Sequence, residues 1–492
     1  MNGLYLNEDD SNFYKSFPDS SMTREGLEKF IRGYMRKQVG AVVLNPNAQR
    51  TAYNSHAVDP IWHGVEIVSD DEIIFQGKRQ KVRPLDVKRI KHARLLHESN
   101  LNAYRVWLEV LRKEGFEGWI SCRMNDVHNV YDEDNYCHDT FWREHPEYRC
   151  SQFDGTWAGY CLDFKYPEVR DYKMALIEEM LTLYDCDGLE LDWLRFPRCL
   201  QPGYEREGAR FVTEVVRRTR EFANQKARER NHPIKINVRV PSRPDDALRC
   251  GYDVINWVRE GLVDVVTVSN FWPTTDSDMP LELWRELLGE DIELNAGLDL
   301  WTCAYPEAAM IPCTDAMAAG FASEYFYRGA DKIYLFNFMQ GMTGMNNPEG
   351  FVKVMENCGV KETAYAQMRR HVVTYPSIRP VGTEPNCTVP RVIRPNWQPI
   401  RINVGGGTAG RTAYVVTGVE KPLEGDQKIC IKFHGTDCPA AEPLPDFKFP
   451  ENVAGAAYHK IPDGLLHDGD NVFHIHLTAG ENRAVWSEIV IL

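Results

Sequence analysis

The chain has 492 residues, with 57 Lys and Arg against 71 Asp and Glu and a net charge of −14. That length suits one large domain plus a smaller one. The charge would repel a phosphate backbone or an anionic bilayer, so neither nucleic acid nor membrane is an expected partner, and no run of about 18 apolar residues offers a spanning helix.

The first residues, MNGLYLNEDDSNFYKSF, hold no basic stretch followed by an apolar one, as a secretory signal would. Thirteen cysteines, an odd number, are scattered singly from Cys122 to Cys438 without a CxxC pair. Both observations read as a cytoplasmic protein with reduced thiols; an exported form whose leader has been removed is the alternative.

Short apolar runs at 3–7 (GLYLN), 41–45 (AVVLN), 117–123 (EGWISCR), 187–193 (DGLELDW), 234–240 (IKINVRV), 263–270 (VDVVTVSN), 292–298 (IELNAGL) and 332–338 (KIYLFNF) predict eight strands. Between them lie amphipathic segments such as SMTREGLEKFIRGYMRKQ, PEVRDYKMALIEEMLTLY, REGARFVTEVVRRTREFANQKARER and TDAMAAGFASEYFYRGA, several opened by Ser, Thr or a first-turn Pro. Eight strand-then-helix units over residues 1–364 predict a (β/α)8 barrel. The competing open doubly wound sheet lacks a glycine-rich turn after its first strand. Insertions at 46–85 and 124–165 follow strands 2 and 3 and would stand over the C-terminal face, where barrels bind their ligands.

Residues 365–492 change texture. TVPRVI, QPIRINV, TAYVVTG, KICIKFHG, NVFHIHLTAG and AVWSEIVIL are short β-branched runs parted by turn residues, which predicts an antiparallel β-sandwich acting as an accessory domain. GGGTAGRT (405–412) resembles a phosphate loop only in part, because it runs into a strand, and is read as a hairpin turn.

The fourth strand, DGLELDW, raises the functional question. Alternation puts Glu190 and Asp192 on one face and Leu189, Leu191 and Trp193 on the other. The outer face must pack on helices, so the two acids face the lumen with Cβ atoms about 7 Å apart, near the spacing of a catalytic carboxylate pair. Arg123, Arg195 and Arg239 could neutralise them, and the bland reading is an ion-pair network that only ties strands together. Asp126 and Asp299 are further candidates for a second carboxylate. Glu190, Asp192 and Asp126 could instead ligate Mg2+ or Mn2+, the signature of a metal-dependent lyase or isomerase. The main reading takes no metal and no cofactor.

Other polar residues fall near predicted strand ends: Asn45, Asn47, Asn125, Asp126, His128, Asn237, Ser269, Asn270, Asn295, Asp299, Asn337 and Gln340. Amides that both donate and accept suit a ligand covered with hydroxyls, and Trp62, Trp142, Trp193, Trp272 and Trp301 nearby could stack on sugar rings. Arg123, Arg195, Arg239 and His128 would accommodate a carboxylate or sulfate on that ligand.

HPEYRCSQ, LDFKYPEVRDYKMALIEEMLTLYDCDGLELDWLRFP, INVRVPS and WVREGLVDVVTVSNFW, in that order, resemble the glycosyl-hydrolase-like-10 family over residues 1–340. The resemblance implies a barrel glycosidase with Asp192 as the best catalytic candidate and Glu190 second, while Trp193 stands where that family carries a further acid. DGLELDWL is also similar to the DGxDxDxE signature of family 18 glycoside hydrolases, but Leu194 replaces the proton-donating Glu. That departure argues against a chitinase and favours, as the alternative, a catalytically inactive carbohydrate-binding barrel. The expectation is thus a glycoside hydrolase acting on an oligo- or polysaccharide, acidic ones included.

Overall fold

The eight apolar runs close on themselves. In the computed structural model, which describes residues 3–9, 11–151, 155–339, 348–445 and 447–492, they form β1 (Leu4–Glu8), β2 (Val39–Leu44), β3 (Glu117–Arg123), β4 (Gly188–Asp192), β5 (Lys235–Pro241), β6 (Val265–Ser269), β7 (Glu293–Asp299) and β8 (Lys332–Phe336). Each pairs in parallel with its sequence neighbours, and β8 pairs with β1, so the sheet is a closed barrel. Helices fill the crossovers as the periodicity predicts. Thr23 and Thr314 cap Arg24–Arg32 and Asp315–Tyr327 by accepting the Gly26 and Met317 N–H groups, and Pro167 opens Pro167–Leu183.

The lumen is packed. Tyr5, Trp119, Tyr334 and Phe336 form a small core there with Ala41, Val43 and Val265. Trp119 fits because position 188 is glycine: a Cβ there would lie 2.4 Å from its ring. Leu189, Leu191 and Trp193 face outward into the layer shared with the helices, which leaves Glu190 and Asp192 inward as alternation requires.

The insertion after β2 is more ordered than its composition suggested. It carries a three-stranded antiparallel sheet, Val65–Ser69, Glu72–Phe75 and Lys78–Lys81. The last turn is Gln76–Gly77, both with positive φ (53° and 74°), as a two-residue hairpin demands. No helix among the described residues is long and apolar enough to cross a membrane. All thirteen cysteines are free thiols.

Beyond Arg369 the strands are antiparallel and lie in two sheets. One joins Arg369–Val372, Asn482–Ile491, Ala413–Val419, Gly455–Lys460 and Ala440–Ala441, with Arg391–Ile393 also on Asn482–Ile491; the other joins Gln398–Asn403, Asp470–Leu477, Ile429–Phe433 and Thr436–Cys438. The stretch 405–412 is not a hairpin turn. It crosses from the second sheet to the first, since Gln398–Asn403 and Ala413–Val419 belong to different sheets. Its glycines serve close approach: Gly405 has φ 65° and a Cβ there would meet the Ser323 carbonyl at 2.3 Å. Arg411 donates to the carbonyls of Tyr365, Gln367 and Leu492, so its guanidinium is occupied by backbone.

Candidate active site

Glu190 and Asp192 share a face but not an environment. Glu190 is fully buried within the lumen. Ser121 Oγ and Tyr334 Oη donate to its Oε1 at 2.7 and 2.8 Å, and Asn237 Nδ2 donates to Oε2 at 2.7 Å. Burial, reinforced by the charge of Asp192, pushes its carboxyl up to about 7. The native state therefore keeps a proton that the unfolded chain releases between about pH 4.5 and about 7, and this group's stabilisation is lost as pH rises across that window. Glu190→Gln is expected to flatten that slope in thermal melts recorded from pH 4 to 8; parallel profiles for the two proteins would remove Glu190 as its source.

Asp192 ends β4 one step nearer the mouth. Its Oδ1 accepts from the Leu194 and Arg195 N–H groups at 3.0 and 3.1 Å and from Arg239 Nη1 at 2.9 Å. Its Oδ2 takes no hydrogen bond among the described residues. Both terminal nitrogens of Arg239 are used: Nη2 donates to the Asn270 carbonyl at 3.0 Å and the guanidinium lies 3.7 Å over the Phe336 ring, while its buried Nε has no hydrogen-bond partner among the described residues.

Asp299, ending β7, resembles Asp192 in one respect. Its Oδ1 accepts from the Trp301 N–H at 3.0 Å, while Oδ2 is buried and without a partner among the described residues. Burial pushes this carboxyl up to about 7, against the opposing pull of the Trp301 N–H and of Arg239 and Arg195.

A third group comes from the loop after β3. Arg123 pairs with Asp9 and, at 3.3 Å, with Asp126. Asp126 Oδ1 accepts from His128 Nδ1 at 2.6 Å, and Arg195 Nη2 meets His128 Nε2 at 2.8 Å. A guanidinium facing Nε2 requires that nitrogen to accept, so the ring is neutral with its proton on Nδ1. Burial and Arg195 push the imidazole pKa down, with Asp126 opposing. Burial alone would raise Asp126, yet His128 and Arg123 outweigh it and hold that carboxylate well below its usual range. Arg195 is in no ion pair among the described residues; Phe196, Phe271 and Phe336 surround it with centroids at 5.5, 5.8 and 6.0 Å.

The third group borders a cavity of about 300 Å3 at the C-terminal mouth, at the lower end for small-ligand pockets, while Glu190, Asp192, Arg239 and Asp299 are not among the residues that line it. Of the residues expected at the site, Arg123, Asp126, His128, Arg195, Trp272 and Asn337 line it, together with Trp301, which meets Trp272 edge-on at 6.4 Å. Asn337, at φ 56°, keeps a buried Oδ1 without a partner among the described residues.

Several expected ligand-binding residues do other work. Asn45 donates to the Ser121 carbonyl, Asn125 to those of Leu162 and Arg198, and Asn270 to those of Thr274 and Tyr375. Asn47 bonds the backbone of Arg123. Asn237 serves Glu190, and Asn295 sits early in β7, donating to Glu293 at 3.2 Å, well short of the strand end where it was expected. Trp142 and Trp193 are core, Trp62 stacks on His97, and Gln340 lies outside the described residues. Glu190, Asp192 and Asp126 hold different partners, and among the described residues no three His, Cys, Asp or Glu side chains gather as a metal site requires.

The cavity also has walls that sequence reasoning missed: Asp9, Lys15, Arg50, Arg83, Asp86 and Arg89. Asp9 was within reach, since it directly follows the end of β1 at the same rim. The others come from segments whose place over the mouth is tertiary.

No protein-family model and no curated protein matches the sequence. Solved structures show likeness at low identity. An α-L-fucosidase from Paenibacillus thiaminolyticus matches at 12% identity and a TM-score of 0.43, over 75% of this chain and 51% of that one, so the chain spans about half the fucosidase's length. A β-L-arabinopyranosidase from Geobacillus stearothermophilus matches at 10% and 0.39, over 97% of each chain. An α-galactosidase from Thermus thermophilus matches at 13% and 0.35, over 75% of this chain and 62% of that one.

Proposed function

We propose that the chain is a glycoside hydrolase of the kind its resemblance to the glycosyl-hydrolase-like-10 family implies, with residues 1–364 catalytic and 365–492 accessory. One observation carries the reading: two mouth carboxylates each have one oxygen tied and the other without a hydrogen bond among the described residues, in opposite settings. Asp192 is ion-paired with Arg239; Asp299 is buried and pushed up to about 7. Such divergence supports reading them as an acid and its partner. Asp299 protonates the glycosidic oxygen as the C–O bond breaks, Asp192 meets the positive charge that develops at the anomeric carbon, and a solvent water then bonds to that carbon and gives up the proton that restores Asp299. Glu190, sealed beneath them, supports the site without touching substrate.

The substrate is anionic. The chain carries −14 overall, yet six Lys and Arg against three Asp line the described part of the cavity. A cleft of reversed sign concentrates an oppositely charged ligand. Arg195, in no ion pair among the described residues, anchors a uronate or sulfate beside the Trp272 and Trp301 faces.

Hydrolysis of p-nitrophenyl glucuronide and of sulfated and neutral p-nitrophenyl glycosides tests this directly. Turnover on the anionic members, lost in Asp192→Asn, is the expected result. Sugar binding by calorimetry with no turnover on any member would point instead to a binding-only barrel, the reading that Leu194 in place of a Glu favours.

A further inference from the structure

The basic residues of the cavity belong to two separate sets. Arg123 and Arg195 are joined to Asp9, Asp126 and His128. Lys15 and Arg83 instead converge on Asp86, at 2.9 and 2.8 Å, from the helix Asn12–Ser16 and from the residue that precedes Pro84–Glu98. Arg89 of that second helix lines the same wall, and so does Arg50, which donates to the carbonyls of Tyr136 and His63. One aspartate between Lys15 and Arg83 leaves positive charge in excess, and the Arg83 side chain is 79% exposed. It can turn towards a ligand by giving up its hydrogen bonds to Asp86.

Resting on the reading of an anionic saccharide substrate, we infer that this second set is a subsite for a second anionic group. The ligand is a disaccharide unit with a carboxylate or sulfate on each ring, one held by Arg195 and the other by Arg83 and Lys15. A lone acidic sugar would use only the first. The buried Lys15–Asp86 pair also ties the two helices together, but that purpose needs no second cation, and the exposed Arg83 adds little to stability there.

Calorimetry with D-glucuronate, digalacturonate and a sulfated chondroitin disaccharide tests the assignment on the full chain. Wild type is expected to bind a two-charge disaccharide at least about tenfold more tightly than glucuronate, the increment of one further charge-assisted contact. Arg83→Ala should shrink that ratio towards one, Arg83→Lys should retain part of it, and Arg83→Glu should invert it; unliganded melting points serve as the folding control. Which disaccharide gains identifies carboxylate or sulfate. Equal affinity for mono- and dianionic sugars in wild type, or a ratio indifferent to Arg83, overturns the second subsite while leaving the anionic substrate standing. Failure of every anionic sugar to bind wild type overturns both.

Discussion

Asp299→Asn is expected to lower kcat by about a hundred- to ten-thousand-fold, the range spanned by loss of a general acid, while the protein folds and still binds sugar. The substitution keeps the shape and leaves Oδ1 to accept the Trp301 N–H, but it removes the proton. In wild type the rate should fall as pH rises through about 7, where burial has placed this carboxyl. What remains in the variant should lack that limb. Stability carries the same signature. With a folded value of about 7 against an ordinary 3.8, the native state holds a proton that the unfolded chain gives up, so wild type loses stability between those values as pH rises and the variant loses less. Glu190 acts in the same direction over nearly the same window, so the Asn variant flattens the slope only in part. Unchanged kcat in Asp299→Asn would pass the role of acid to another carboxylate.

Arg239→Ala should be the most damaging single change to the barrel, costing about 3–5 kcal/mol, as expected when one partner of a buried pair is removed. The guanidinium is fully buried and holds Asp192, the Asn270 carbonyl and the Phe336 face together. Its removal leaves the Asp192 charge buried without a counter-ion. Activity should be lost on neutral and acidic substrates alike. Arg195→Ala, by contrast, should raise KM for acidic substrates selectively with a modest change in melting point. If Arg239→Ala instead spares neutral glycosides, its guanidinium contacts the substrate's acid group and the structural role assigned to it is wrong.

Three of the asparagines expected to meet a ligand donate to backbone carbonyls instead. Asn45, Asn125 and Asn270 stand where the chain leaves regular strands, and there backbone carbonyls have lost their ladder partners. Buried backbone groups must be satisfied, and a short amide is the nearest donor. A strand-end asparagine therefore has two explanations that look identical in one dimension. The sheet of Val65–Lys81 had a visible signal, alternation around Gln76–Gly77, that was masked by the polar composition of the whole insertion.

By itself the sequence determined the barrel, its eight strands, the long helices and the inward face of β4, because these rest on periods of 2 and 3.6 residues and on caps only a few positions apart. The strand Arg369–Val372, RRHV, carried no such pattern. It is buried along its length and lies against the helix Asp315–Tyr327, where a Cβ at Gly320 would meet the Arg370 carbonyl at 2.3 Å. Depth within the lumen was also a tertiary matter. Glu190 and Asp192 are two residues apart, yet strand tilt and stagger around a closed barrel put one against Ser121, Asn237 and Tyr334 and the other beside Arg239. Arg83 and Asp86 are three residues apart, but only the tertiary structure could bring Lys15 to them from a distant segment, since charge has no period that would announce where it converges.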